Sequence, residues 1–137
     1  NPYNFKDVKR DTAYVALAGP AANFISAIIF SLIFDIKTDS YLIFHDVFKQ
    51  IIFYTIFINI AFGLFNLIPF PPLDGSRIIG AFLSDEAYFK YQQFERKGVF
   101  ILIGIILIGN MMGLNIIGGL IIPPINFFLK LLIGVQI

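Results

Sequence analysis

The chain has 137 residues, 58% of them hydrophobic and 14% charged, which excludes an ordinary soluble domain, where about a quarter of residues are charged, and a disordered chain, which is poorer in apolar residues. Ten Lys and Arg stand against nine Asp and Glu, a formal net charge of +1, so no basic face suggests nucleic acid as a partner. Without cysteine, disulfides, thiol catalysis and cysteine-ligated zinc are excluded, and a single histidine, His45, limits the chemistry the chain performs alone.

Crossing a hydrocarbon layer of ~30 Å takes roughly 20 mainly apolar residues, and four segments meet that need. The first, about 13–34, is uncharged between Asp11 and Asp35 and holds Gly19 and Pro20 near its start. The second, about 51–68, is also uncharged, with Asn59 and Asn66 as its main polar interruptions. A third, about 98–112, and a fourth, about 116–133, share a run broken by Gly109, Gly113, Asn115, Gly118 and Gly119. Pro123 and Pro124 are expected to kink or end a regular helix, which makes the fourth segment a candidate for a re-entrant or interfacial element. The fold expected is all-α: a polytopic transmembrane helical bundle with a proline-rich break between helices.

The connecting segments are polar. Residues 1–12 carry Lys6, Asp7, Lys9, Arg10 and Asp11, residues 35–50 carry Asp35, Lys37, Asp39, Asp46 and Lys49, and neither has the make-up of a signal peptide. Residues 84–97 are the most hydrophilic, and their Tyr88, Tyr91 and Phe94 recur at spacing three, which predicts a short amphipathic helix at the bilayer surface. The distribution of Lys and Arg puts residues 1–12 and 69–97 on the cytoplasmic side under the positive-inside rule.

The stretch Asn66-Leu67-Ile68-Pro69-Phe70-Pro71-Pro72-Leu73-Asp74-Gly75 runs a hydrophobic span into three prolines and an acid. Proline removes a backbone donor and blocks helix continuation, so the segment is expected to be extended. Irregular backbone at membrane depth is tolerated only inside protein or beside a watery cavity. Asp74 is then a carboxylate between two hydrophobic pieces, a candidate ligand or ion site; the alternative, that it caps a helix starting near Gly75, is equally open. Gly19-Pro20-Ala21-Ala22-Asn23 in the first span offers small residues and a hydrogen-bonding Asn, which by physics alone reads as packing. His45, beside Asp46, and the charges of 84–97 read as ordinary solvated residues.

Taken together, Gly-Pro-x-x-Asn in one span followed by Asn-x-x-Pro-x-x-Pro-Leu-Asp-Gly after the next resembles the site-2 protease family of intramembrane zinc metalloproteases. Asn1-Pro2-Tyr3-Asn4-Phe5 and Pro123-Pro124-Ile125-Asn126-Phe127 resemble compact prokaryotic members. The resemblance implies that Asp74 is a ligand of Zn2+, that Asn66 orients substrate or stabilises the oxyanion, and that Gly19, Pro20, Asn23, Pro69, Pro72 and Gly75 support the site. It implies a transmembrane protein as substrate, a multi-pass protein of a prokaryotic cell membrane, and two His ligands with a general-base Glu on an HExxH helix. These 137 residues hold no such helix. The chain begins at Asn1 and its first Met is Met111, so residues 1–137 are expected to be the C-terminal part of the core, completed by helices before Asn1.

The prolines also suggest unpaired backbone that pairs with an extended substrate strand. Two other readings compete: a non-catalytic family member that binds or regulates in the membrane, and a transporter fragment with discontinuous helices around a mid-membrane acid. The transporter calls for a second, inverted copy of the first two spans, which the sequence does not show.

Overall fold

The computed structural model describes residues 7–34 and 45–137. Residues 1–6, with the Asn1-Pro2-Tyr3-Asn4-Phe5 motif, and 35–44, most of the second polar segment, lie outside them. Five α-helices and no strand occur among the described residues: α1 Val8–Phe34, α2 His45–Asn66, α3 Asp74–Gly80, α4 Asp85–Met111 and α5 Ile116–Ile133.

Three helices are long and apolar enough to cross a membrane: Val8–Phe34, Asp46–Asn66 and Ile116–Ile133. Their core is a seam of residues at helical spacing. Ile52, Ile56 and Ile60 of α2 meet Ala27 of α1 and Ile121, Ile125 and Leu129 of α5. The outer faces carry exposed Val15, Ile25, Ile29, Leu32, Ile51, Ile58, Phe62, Leu120 and Leu131. Such helices, apolar all round, suit a hydrocarbon solvent. With the family established below, this is a multi-pass membrane protein.

α1 and α2 are the most extensively packed pair, and α3 lies against α1. The α1–α2 pairing is antiparallel and close where side chains are small: a Cβ on Gly63 would sit 3.1 Å from the Phe24 ring. α1 runs through Pro20, which is fully buried.

Two elements differ from the expectation. The hydrophilic residues 85–97 and the apolar residues that follow are one continuous helix, α4, whose apolar part is Lys97–Met111. α5 continues through Pro123 and Pro124. It is well terminated at both ends. The Asn115 carboxamide oxygen accepts from the Gly118 N–H at 2.9 Å, and Gly134 takes the left-handed conformation (φ 70°) with its N–H donating to the Lys130 carbonyl at 3.1 Å. Asn126 also fastens the following chain, exchanging two hydrogen bonds of 3.0 and 2.9 Å with the backbone of Ile137.

Candidate functional site

Helix α2 stops at Asn66, and the prolines that follow form a succession of tight turns in place of the extended segment expected. Phe70 N–H donates to the Ile68 carbonyl at 2.8 Å and Leu73 N–H to the Phe70 carbonyl at 2.9 Å. The Pro71–Pro72 bond is cis. The Tyr91 hydroxyl donates to the Pro69 carbonyl at 3.3 Å, and Ser76 donates to the Leu73 carbonyl through both its N–H and its hydroxyl, at 3.0 and 2.7 Å. Four carbonyls that an extended substrate strand would need are therefore already engaged, and the strand-pairing expectation loses its basis there.

α3 begins at once. Leu73 occupies the N-cap in extended backbone, and no side chain caps the helix. Asp74 is the first helical residue, so the capping alternative for it falls. Gly75 is buried and sits against the end of α2, where a Cβ would overlap the Leu67 and Ile68 carbonyls. Only glycine admits this approach. The contact folds the start of α3 back onto α2 and fixes where Asp74 stands.

It stands beside α1. A Cβ on Gly19 would lie 3.1 Å from Asp74 Oδ2, so the glycine of Gly-Pro-x-x-Asn and the acid of Leu-Asp-Gly face each other. Asn23 lies four residues on along the same face of α1, and Pro20 is packed inside. Gly19 is six residues into the apolar run that starts at Ala13, about 9 Å of helix, so the carboxylate stands level with that apolar run of α1. Asp74, Asn66 and Asn23 are each half-buried, and none of their side chains makes a hydrogen bond among the described residues. Pro69 is exposed and Pro72 half-buried within the turn.

Residues that the sequence reading did not assign to the site complete its surroundings. Arg77, one turn after Asp74 on α3, pairs with Glu95 of α4 through Nη2 at 2.8 Å and Nε at 3.3 Å. That hydrogen bond raises the guanidinium pKa above its ordinary value; partial burial opposes the shift, and the charges of Glu95 and Asp74 add to it. Burial likewise raises the Tyr91 phenol above its ordinary value, with the Ser76 hydroxyl opposing. Gly98 lets α4 touch the turn, since a Cβ there would overlap the Pro71 carbonyl. Tyr88, Tyr91, Glu95 and Gly98 thus form one face of α4, turned toward protein; beside it Phe94 packs edge-to-face on Phe70 at 6.1 Å. A cavity of about 220 Å³ lies between this face and α1, lined by Thr12, Ser76, Arg77, Tyr91, Gln92 and Glu95 among others.

Peptidase family M50 matches residues 31–109, more than half of the chain and the part that holds Asn66, Asp74 and Gly75. The chain belongs to peptidase family M50. A zinc metalloprotease of Methanocaldococcus jannaschii is 31% identical to this M50 chain over 107 residues, 75% of the chain and 29% of that relative. The M50 chain therefore spans under a third of the length of the curated relative it matches. No solved structure matches it. The donors present fit one position of a zinc site: Asp74 is a carboxylate with no hydrogen-bond donor among the described residues, facing a residue without a side chain. Among the described residues no three His, Cys, Asp or Glu gather into a metal-binding group.

Proposed function

We propose that this M50 chain is the later, C-terminal part of the membrane core of an intramembrane zinc metalloprotease, hydrolysing peptide bonds in or near transmembrane segments of membrane proteins. The observation that carries the reading is the Leu-Asp-Gly carboxylate, Asp74, which stands against Gly19 in the apolar run of α1 and makes no hydrogen bond among the described residues. Asp74 is the residue here that would hold Zn2+. When bound, zinc supplies a Lewis acid for a scissile carbonyl and a water of lowered pKa. Two further ligands and the general base are assigned to an HExxH helix outside these residues, in line with the small share of the relative's length that the chain spans.

The chain's own contribution is positional. Gly75 fixes the turn on the end of α2, Pro69 and Pro72 stiffen it, and Gly19 leaves room beside the carboxylate. Asn66, ending α2 with a free carboxamide, is assigned to orienting the substrate carbonyl. Asn23 and Pro20 shape the neighbouring face of α1. A prokaryotic cell membrane is the proposed setting, supported by the resemblance to compact prokaryotic members.

The test is zinc content and cleavage of a membrane-protein substrate by the full-length protein. Asp74→Ala is expected to lose both, whereas Asn66→Ala is expected to keep zinc and lose roughly 100-fold in kcat, the cost of removing one oxyanion donor. Undiminished zinc in the Asp74→Ala variant overturns the ligand assignment. A full-length wild type that binds no zinc and cleaves nothing favours the non-catalytic family member.

A further inference from the structure

Arg77 occupies a position from which it could disable Asp74. The two lie three residues apart on α3, the spacing at which an acid and an arginine meet on one helix face. A guanidinium is permanently charged and matches a carboxylate in two-pronged geometry, so it competes with any cation for the same oxygens. Yet among the described residues the two form no hydrogen bond or ion pair. Arg77 is turned the other way, to Glu95 of α4, with Nη2 at 2.8 Å and Nε at 3.3 Å. Asp74 remains near enough for its charge to raise the guanidinium pKa, as a secondary contribution after that of Glu95.

Glu95 is itself held in place from both sides along its own helix. Three residues later Gly98 rests on the Pro71 carbonyl, and four residues earlier the Tyr91 hydroxyl reaches the Pro69 carbonyl at 3.3 Å. The acid is thus presented to Arg77 by a helix seated on the same turn that delivers Asp74.

We propose that Glu95 is a positioning residue for metal binding: by engaging Arg77 across the turn it keeps the guanidinium off Asp74 and leaves that carboxylate available to a divalent cation. The inference rests on the reading of Asp74 as the zinc ligand. It differs from a structural brace in one respect. Removing the brace from either side does the same damage, whereas removing Glu95 frees a competitor and removing Arg77 eliminates it.

The experiment measures the zinc affinity of full-length protein, purified in detergent, by competition with a chelator. Glu95→Ala is expected to weaken binding by about 10-fold, the lower range for residues that support a metal ligand from behind. Arg77→Gln is expected to bind zinc at least as tightly as wild type, and the Arg77→Gln, Glu95→Ala double variant to recover wild-type affinity. Recovery in the double variant also shows that the loss in Glu95→Ala is not misfolding. The proposal is overturned if Glu95→Ala binds zinc normally, if Arg77→Gln alone weakens binding as much as Glu95→Ala, or if the double variant stays as weak as Glu95→Ala. A wild type without zinc overturns the ligand reading itself, and this proposal with it.

Discussion

Gly19 and Gly75 mark two kinds of close approach in the surroundings of one acid, Asp74. At Gly75 the neighbours are the Leu67 and Ile68 backbone carbonyls just after α2, which cannot swing aside, so Gly75→Ala must push α3 away from that turn. Overfilling a packed site costs about 1–3 kcal/mol, occasionally more, and unfolding of the purified protein in denaturing detergent is expected to show that loss. At Gly19 the neighbour is a side-chain oxygen at 3.1 Å, which can yield by a few tenths of an ångström. Gly19→Ala is therefore expected to leave unfolding unchanged and to reduce zinc retention. The sequence singled out Asp74 as a candidate, with a helix cap equally open, and it is the placement of Leu73 at the N-cap that removes the capping alternative. That Gly19 supports the same site came from the family resemblance alone, since nothing local in either motif says which residue of a distant helix stands opposite the acid. Arg77 and Glu95 were hidden for the same reason: each looks like an ordinary surface charge until the turn brings their helices together.

Helix α4 shows where composition misleads about elements. The sequence changes character at Gly98, hydrophilic before and apolar after, and that change reads as a boundary between an interfacial helix and a span. Backbone hydrogen bonding does not respond to such a change, and no proline interrupts α4. Gly98 is the point where α4 touches the Pro71 carbonyl, not a break. The spacing of Tyr88, Tyr91 and Phe94 was expected to mark a face at the bilayer surface; instead Tyr91 and Phe94 meet the proline turn, at the Pro69 carbonyl and the Phe70 ring, and Tyr88 is buried beside Gly80. Tyr91→Phe removes its hydrogen bond to the Pro69 carbonyl, and a net loss of about 0.5–1.5 kcal/mol is expected in the same unfolding measurement. The direction of the Tyr91 shift also predicts a pH dependence. Its pKa is raised in the fold, so the stability it contributes is complete below the unfolded value of 10.0 and is lost as pH rises through the higher folded value. Spectrophotometric titration should show a late-ionising tyrosine component that is absent from Tyr91→Phe. α5 departs from its expectation in the opposite sense. Prolines that would break a helix in water are carried within one here, as happens where neighbouring helices and local adjustments satisfy the freed groups.

At the scale of the molecule, α1 is longer than its partner. Phe24 stands beside Gly63, so the end of α2 at Asn66 is level with about residue 21, whereas α1 continues thirteen residues further to Val8, about 20 Å. α3 and the start of α4 occupy that remaining length. Lys9 closes the top: its ammonium donates to the Leu83 carbonyl at 3.0 Å, pairs with Asp85 and lies 5.6 Å from the Tyr88 ring centroid. The start of α1 and the start of α4 are therefore at one end, and the turn between α4 and α5 at the other. As the chain has no cysteine, single cysteines can report this directly. A membrane-impermeant maleimide is expected to label Asp85→Cys and Leu114→Cys from opposite faces of sealed vesicles, and labelling of both from one face would contradict the arrangement.

The seat of Gly75 on the carbonyls of Leu67 and Ile68, directly after α2, turns helix register into a dimension of the site. Each residue of α2 contributes 1.5 Å of advance and about 100° of rotation. One residue added between Gly63 and Asn66 would leave the Phe24 contact intact yet swing the Leu67 and Ile68 carbonyls more than a quarter turn away from where Gly75 meets them. Asp74 would follow, off the face of α1 that holds Gly19. The chain can exchange many apolar side chains for one another in this stretch, but it has almost no freedom in how many residues it contains.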